Sequence, residues 1–159
     1  YHKVDKSRKL VVKPFKEDLK IGIFKAHPNM FAKEIEPYAT YNGLIIEGTG
    51  LGHLPINVID KETTEHGKIL KTLEKIAKKI PVVMTSQAFF GRINMNVYST
   101  GRVLKEIGVL GDYLDMIPET AFIKLAWVLS NYTKNQIAAM MHEDIRGEIT
   151  KRSLHEDFL

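Results

Sequence analysis

The sequence predicts an α/β fold: a three-layer sandwich around a short parallel sheet, with a helical C-terminal third. The first observation is a set of short apolar runs rich in β-branched residues, which is typical of strands buried on both faces. The second is that helical patterns alternate with these runs, an order that favours right-handed parallel crossovers and helices on both sides of the sheet. The third is that only helical patterns follow the last run.

Three apolar runs are predicted as strands of this sheet. They cover residues 20–25 (KIGIFK), 44–47 (LIIE) and 82–85 (VVMT), and each is bounded by turn residues. Residues 10–12 (LVV) are predicted as a fourth strand at an edge of the sheet. Pro14 limits the length of that strand, because proline donates no hydrogen bond to a ladder.

Helical patterns lie between the strands. The clearest covers residues 65–80, with apolar side chains on one face and lysines on the other, and Thr63 or Thr64 can serve as its N-cap. A shorter helix is predicted over residues 30–38, after the Pro28-Asn29 turn. Each helix can therefore cross over between two neighbouring parallel strands.

The C-terminal third is predicted to be helical throughout. One helix covers residues 98–107, and Pro118 fits the first position of the next. Thr133 and Gln136 have the spacing of a capping box, which places the start of the last helix there.

Composition indicates one globular domain and excludes several kinds of site. The chain has 159 residues, 44% of them hydrophobic and 26% charged, which is enough to bury a core. It has no cysteine, so disulfides, thiol catalysis and thiolate metal sites are excluded, and this fits a cytoplasmic location. No apolar run approaches the roughly 20 residues that cross a bilayer, and the six histidines lack the i, i+4 spacing of metal-binding helices. We therefore expect no membrane segment, no metal site and no cofactor.

Both ends of the chain are predicted to lie outside the domain, which we place at residues 20–150. Residues 1–19 are a linker or an edge strand, and residues 151–159 are a charged tail. Residues 1–20 hold seven of the 23 basic residues, a charge that either keeps the segment solvated or contacts nucleic-acid phosphates. The chain begins at Tyr1 inside a polar stretch without a cap or turn signal, which indicates a piece of a longer protein.

The unusual polar residues follow the third predicted strand. In open α/β sheets, ligands and partner subunits bind outside the carboxyl ends of the strands. Gln87 lies at this end, and Asn94, Asn96 and Tyr98 follow in a loop. The two asparagines can bind a carboxylate or amide group, or Asn96 can simply cap the next helix.

Two arginines of the same stretch have two interpretations. Arg92 and Arg102 can clamp a carboxylate through both guanidinium nitrogens, or they can form surface ion pairs with Glu106 or Glu119. Residues 85–87 can hydrogen-bond a substrate or satisfy backbone groups at the strand end. No serine lies in the setting of a nucleophile elbow.

The segment Gly-Thr-Gly-Leu-Gly-His at residues 48–53 resembles a phosphate-binding loop. A dinucleotide fingerprint needs the spacing G-x-G-x-x-G and an immediate helix, whereas here the third glycine comes one residue early. A flexible loop that lets another chain approach is favoured. An independent nucleotide-binding α/β module remains an alternative. His53 at the tip can donate a hydrogen bond to a ligand.

Four segments resemble the C-terminal domain of the asparaginase/glutaminase superfamily, in the same order and at similar spacing. They are residues 45–55 (IIEGTGLGHLP), 82–87 (VVMTSQ), 91–102 (GRINMNVYSTGR) and 115–129 (DMIPETAFIKLAWVL). The form of the glycine segment is most similar to the glutaminase-like D subunits of archaeal glutamyl-tRNA(Gln) amidotransferases. The type I L-asparaginases are the alternative branch.

The resemblance implies a flavodoxin-like domain that is not catalytic by itself. The nucleophilic threonine of this superfamily lies in a Gly-Gly-Thr motif of its N-terminal domain, with a Thr-Asp pair and a lysine. None of these motifs occurs here, and Gly48-Thr49-Gly50 is a different sequence. The parent protein would be an enzyme that releases ammonia from glutamine for the conversion of Glu-tRNA(Gln) to Gln-tRNA(Gln).

The resemblance also implies partners. They are the N-terminal asparaginase domain of the same protein, a second copy in a homodimer, the ATP-using E subunit of the amidotransferase and, indirectly, tRNA. Related asparaginases lend one or two polar residues of this domain to a neighbouring active site. The candidates for substrate binding or a subunit interface are His53, Gln87, Asn94, Asn96 and Tyr98. Ala88 stands where many relatives have cysteine, which puts any thiol-dependent regulation in doubt.

Overall fold

A computed structural model describes residue 9 and residues 11–152 of the chain. Its centre is a three-stranded parallel sheet with the order β1-β2-β3. The strands are β1 (Ile21–Lys25), β2 (Gly43–Gly48) and β3 (Val82–Ser86). Helices pack on both faces of this sheet, so the predicted α/β three-layer sandwich is confirmed.

The three predicted runs form the three strands, and the observed strand ends differ from the predicted ones by no more than one residue. Ile23 pairs with Ile45, and Ile45 pairs with Val83. Beyond β3 the sheet continues as a single parallel bridge between Val83 and Leu110. The edge position beside β3 is therefore filled by residue 110.

The predicted edge strand at residues 10–12 does not form at the residues that the structure describes. Val11 and Val12 are exposed and belong to no strand, and residue 10 lies outside the described part of the chain. The chain that follows lies against the C-terminal half of a later helix. Trp127 Nε1 donates to the Lys13 carbonyl at 3.2 Å, and the Lys16 N–H donates to Ser130 Oγ at 2.9 Å. Much of the predicted basic linker and the charged tail falls at residues 1–8, 10 and 153–159, outside the described residues.

One face of the sheet is covered by three helices. They are α1 (Ala32–Ile35), which continues as a 3-10 helix over Glu36–Thr40, α2 (Thr64–Lys79) and α3 (Ser99–Glu106). Alternate strand residues point to this layer, because successive side chains of a strand face opposite sides. The fully buried members are Ile35, Leu44, Ile46, Ile69, Leu73, Ile76, Val82, Met84 and Leu104 in the strands and helices, with Ile93 and Met95 in the loop after β3.

The other face is covered by the C-terminal third. It contains α4 (Pro118–Asn131), a 3-10 turn over Lys134–Gln136, and α5 (Ile137–His142). The predicted capping box is present at the last turn, where Gln136 Oε1 accepts the Thr133 N–H at 3.0 Å. The buried members of this layer are Ile45, Val83, Leu114, Met116, Ala121, Leu125, Val128, Ile137 and Met141.

Within the described residues, no helix has the length and apolar character needed to cross a membrane.

Candidate functional site

The carboxyl ends of β2 and β3 lie side by side, as the parallel register requires. Gly48 pairs with Ser86, and the next residue, Gln87, donates its N–H to the Gly48 carbonyl at 2.8 Å. Ser86 Oγ donates to the Gly50 carbonyl at 2.5 Å. The loops that follow the two strands are thus held together, and they form one edge surface with the predicted polar residues on it.

The glycine segment forms a closed turn. The Thr49 N–H donates to the His53 carbonyl at 3.0 Å, and the Gly52 and His53 N–H groups both donate to the Thr49 carbonyl, at 3.0 and 2.9 Å. A phosphate loop needs free backbone N–H groups that point at the anion. Three of them are used inside this turn, and α2 starts only at Thr64. This geometry does not support nucleotide binding.

The turn places the imidazole of His53 against the start of α3. His53 Nδ1 and Thr100 Oγ1 are 3.1 Å apart, and the Tyr98 ring packs edge to face on the imidazole with centroids 5.1 Å apart. Within the described residues, nothing hydrogen-bonds the buried Nε2 atom. Burial lowers the pKa of His53, because the protonated form loses hydration there. His53 is therefore a neutral imidazole with one hydrogen-bonding site unfilled.

Gln87 joins the ends of two strands. Its side-chain amide donates to the Ala26 carbonyl, just after β1, at 2.6 Å and to the Glu47 carbonyl of β2 at 3.0 Å. The neighbouring Thr85 hydroxyl similarly donates to the Ile46 carbonyl at 3.0 Å. The amide nitrogen of Gln87 thus satisfies backbone groups, and a role of Gln87 in ligand binding stays a prediction.

The two asparagines of the loop have different environments. Asn94 is half-buried, and its N–H donates to the Leu51 carbonyl at 3.1 Å, which ties this loop to the glycine turn. Asn96 is exposed, and its amide donates to Asp112 Oδ2 at 2.8 Å. The N-cap position of α3 is Tyr98, so Asn96 does not cap that helix. The structure brings Asn94, Tyr98 and His53 to one edge, and Asn96 supports the loop.

Both arginines of this stretch hold the backbone in place. Arg92 forms an ion pair with Asp115 at 3.3 Å and donates to the Thr150 carbonyl at 3.0 Å. Arg102 donates to the Asn96 carbonyl at 2.9 Å. Arg92 does form an ion pair, but the pair is largely buried and its partner is Asp115 rather than the predicted Glu106 or Glu119, while Arg102 bonds backbone carbonyls.

Asp112, Lys105 and Tyr113 contribute to the site, and sequence reasoning missed them. Lys105 Nζ lies 2.7 Å from Asp112 Oδ2, and the Tyr113 hydroxyl accepts from Asn96 Nδ2 at 3.2 Å. Tyr113 has φ 65°, which is rare for a residue with a side chain. The Gly111-Asp112 dipeptide was a turn signal that could have indicated this anchor.

An exposed aromatic pair lies next to the strand end. Phe89 and Phe90 are 76% and 64% exposed, and their rings pack edge to face with centroids 5.1 Å apart. Tyr98 is 57% exposed on the same edge of the sheet. Exposed aromatic groups at a functional edge are typical of a surface that another chain covers.

An open depression of about 510 Å³ lies beside Asn94. Its lining includes Leu51, Arg92, Tyr113, Lys151 and Arg152. The basic side chains favour an anionic group there. A second cavity, of about 500 Å³, lies on the outer side of α4 and contains none of the predicted site residues. Among residues 9 and 11–152, no group of three or more His, Asp or Glu side chains could hold a metal ion.

Comparison with known proteins identifies the family. The family model described as "Glutaminase/Asparaginase C-terminal domain" matches residues 20–141, well over half of the chain. The chain belongs to this family. The resemblance found in the four sequence segments is therefore confirmed, and all five candidate residues lie inside the matched range of the Glutaminase/Asparaginase C-terminal domain.

Curated relatives of this asparaginase-like domain are named as the D subunit of glutamyl-tRNA(Gln) amidotransferase. The protein from Methanobrevibacter smithii is 42% identical over 143 residues, which are 88% of this chain and 30% of the relative. The protein from Pyrococcus horikoshii is 39% identical over 145 residues, again 88% of this chain and 30% of the relative. The chain thus spans about 30% of the length of these relatives.

Solved structures of L-asparaginases share the fold of this domain. L-asparaginase I from Vibrio cholerae has a TM-score of 0.76 at 29% identity, covering 91% of this chain and 41% of that protein. The thermostable L-asparaginase from Thermococcus kodakarensis has a TM-score of 0.72 at 28% identity, covering 83% of this chain and 38% of that protein.

Proposed function

We propose that this chain is the C-terminal domain of the glutaminase-like D subunit of a tRNA-dependent amidotransferase. The observation that carries the proposal is the identity of 38–42% to proteins of that name, compared with 28–29% to the solved asparaginases. We place the domain at residues 20–150. The whole D subunit would be cytoplasmic and would act with an ATP-dependent E subunit. Together the two subunits would form a ligase, and the E subunit would bind the tRNA.

The chain supplies no nucleophile in this proposal. Its sequence lacks the Gly-Gly-Thr motif of the superfamily, and the threonines of the edge surface are used structurally: Thr85 bonds the Ile46 carbonyl and Thr100 bonds His53. The attacking threonine would lie in the N-terminal domain of the parent protein. Glutamine and water would give glutamate and ammonia through an acyl-threonine intermediate, and the E subunit would consume the ammonia.

The contribution of this domain would be to complete the amide-substrate site from one side. His53, Asn94 and Tyr98 form the polar part of the edge surface, and the unpaired Nε2 atom of His53 is buried beneath that surface. A buried polar atom without a partner costs roughly 1–3 kcal/mol, so a rearrangement on docking that gives Nε2 a partner recovers part of that cost. The aromatic residues around it would exclude water when the N-terminal domain or the second copy of a homodimer covers them.

Ammonia release from glutamine tests this division of labour. We expect the full-length protein to release ammonia and the 159-residue chain alone to release none. In the full-length protein, His53→Ala and Asn94→Ala are expected to lower kcat/KM for glutamine. Glu74→Gln on the outer face of α2 is the control, because its carboxylate bonds Lys78 of the same helix, away from the edge surface. Turnover by the chain alone would show that the nucleophile lies within it and refute the proposal.

A type I L-asparaginase is the second candidate. It is favoured by the TM-score of 0.76 to L-asparaginase I from Vibrio cholerae. The two candidates differ in substrate and in partner. Glutamine turnover that increases when the E subunit and tRNA are added supports the amidotransferase, whereas asparagine turnover that is indifferent to both supports the asparaginase.

A further inference from the structure

We propose that Asp112 is a positioning residue for the substrate site: its carboxylate holds the loop of residues 94–98 in the shape that binds glutamine. This inference rests on the function proposed above. Asp112 lies between α3 and α4, where the sequence pattern indicates only a turn.

Three donors from two elements converge on this one carboxylate. Oδ1 accepts the backbone N–H of Met95 at 2.9 Å, and Oδ2 accepts the Asn96 amide at 2.8 Å. Lys105, on α3, donates to Oδ2 at 2.7 Å. Burial by itself raises the pKa of Asp112, but the hydrogen bonds from Lys105, Met95 and Asn96 outweigh it and lower the pKa below the ordinary value. The carboxylate is therefore ionised and fully engaged at neutral pH.

The Asp112 carboxylate and its side-chain donors form a closed hydrogen-bond network. Lys105 Nζ also donates to the Asn96 side-chain oxygen at 3.1 Å, so that lysine, asparagine and aspartate each contact the other two. Met95 is fully buried and fixes the middle of the loop from below. A loop that is held at its backbone, at a side chain and in the core has one preferred shape.

Both ends of this loop contact the candidate site. On the N-terminal side, the Asn94 N–H bonds the Leu51 carbonyl of the glycine turn at 3.1 Å. On the C-terminal side, Tyr98 packs against His53, with ring centroids 5.1 Å apart. A shift of residues 95 and 96 therefore moves Asn94 and Tyr98 relative to His53. Asp112 itself need not touch the substrate.

Asp60 provides a matched comparison, because it anchors a different loop in a similar way. Its Oδ1 accepts the Thr63 N–H at 2.9 Å and the Thr63 hydroxyl at 2.8 Å. This turn precedes α2 and contains none of the candidate residues. Asp112→Asn and Asp60→Asn both replace an anchoring carboxylate by an amide of the same shape, and only the first change lies beneath the site.

The experiment measures glutamine hydrolysis by the full-length protein in complex with the E subunit. If Asp112 is lost, the loop occupies its binding-competent shape for only part of the time, and the apparent affinity falls by that fraction. We expect Asp112→Asn to raise KM for glutamine by about tenfold, with a smaller change in kcat. Asp60→Asn is expected to leave KM and kcat within about twofold of the unsubstituted values. Its melting temperature is expected to shift about as much as that of Asp112→Asn. Asp112→Glu, which restores the charge, is expected to recover part of the KM.

Equal KM values for Asp112→Asn and Asp60→Asn would overturn the positioning role. Should Asp112→Asn not fold, Lys105→Met removes one of the three donors from an exposed position and is expected to raise KM in the same direction by a smaller factor. An unchanged KM in Lys105→Met would then overturn the inference. Failure of the proposed function is seen separately, as the absence of glutamine turnover in the unsubstituted complex.

Discussion

The rings of His53 and Tyr98 pack edge to face, with centroids 5.1 Å apart and planes at 76°. His53 comes from the turn after β2, and Tyr98 is the residue before α3. An aromatic contact of this kind contributes about 0.5–1.5 kcal/mol beyond the area it buries. We infer that the Tyr98 ring also shields the imidazole from water, which would connect the conformation of the loop to the protonation of His53.

Removal of the Tyr98 ring is expected to raise the pKa of His53. Burial lowers this pKa below its ordinary value of 6.5, and Tyr98→Ala would rehydrate the imidazole and move the pKa back toward 6.5. The measurement is an NMR titration of the imidazole C–H resonances. Tyr98→Phe keeps the ring and is the control. A pKa in Tyr98→Ala identical to that in Tyr98→Phe would show that the ring does not cause the burial.

The glycine turn is expected to tolerate alanine at residue 50 much better than at residue 52. Gly52 has φ +97°, and an added Cβ would lie 2.8 Å from Met84 Cγ and 3.1 Å from two atoms of Ile93. Gly50 has φ +50° with nothing within 4 Å of such a Cβ. Gly50→Ala should cost only the left-handed strain, about 1 kcal/mol, and Gly52→Ala about 3 kcal/mol because overpacking is added. Urea unfolding measures both, and equal losses would contradict this account.

Replacement of Gln87 by methionine is expected to lower the free energy of unfolding, although Gln87 lies in a loop. The change leaves the Ala26 carbonyl without the side-chain donor that reaches it at 2.6 Å, while the Glu47 carbonyl loses one of its two donors and keeps the Ala26 N–H at 3.0 Å. Leaving a partly buried acceptor such as the Ala26 carbonyl unpaired costs about 1–3 kcal/mol. Gln136→Met is the comparison, because Gln136 accepts from the exposed Thr133 N–H, which water can satisfy. If Gln87→Met loses no more stability than Gln136→Met, the strand ends do not need the Gln87 amide.

The ion pair between Lys124 and Glu148 is expected to be important for stability. Their side chains are 5% and 13% exposed, and Lys124 Nζ lies 2.7 Å from Glu148 Oε1. Lys124→Met leaves a buried carboxylate without its cation, which costs about 3 kcal/mol. The double variant Lys124→Met with Glu148→Gln removes both charges and is expected to recover part of that loss in denaturant unfolding. If the double variant is as unstable as the single one, the charge on Glu148 is not the cause.

The same pair predicts the direction of a pH dependence. Burial by itself raises the pKa of Glu148, but hydrogen bonds from Lys124 and from backbone N–H groups outweigh it and lower the pKa to about 2. Because this folded-state pKa lies below the ordinary 4.5, the contribution is complete above pH 4.5 and is lost as the pH falls toward 2. Glu148→Gln is expected to flatten the loss of stability in that window.

Where the local pattern carries the information, the sequence predicted the structure closely. The runs at residues 44–47 and 82–85 became β2 and β3, because β-branched residues between turns fit a strand buried on both faces. The helix predicted over 30–38 is shorter, with α-helix only over Ala32–Ile35. Pro37 lies just beyond, and since it has no N–H to donate to residue 33, the chain tightens into a 3-10 helix.

The sequence pattern did not predict the contacts between segments that are far apart in the chain. The sequence allowed Asn96 either to bind a ligand or to cap α3; Tyr98 is the N-cap, and the Asn96 amide donates to Asp112. Lys124 lies on α4 and is buried beside Glu148, a pairing that no pattern in the sequence indicated. In both cases the partner lies on another element, and no periodicity along the chain reports which elements meet.

By itself, the sequence determined the class of fold, the positions of the three strands of the sheet, the family and the edge at which the polar residues gather, because each of these depends on local composition and order. Only the tertiary structure decided the division of roles among those residues. It joined His53 to Tyr98 and turned Gln87 into a connection between strands. Such roles depend on which backbone and side-chain groups remain unpaired after packing, and packing is a property of the whole chain.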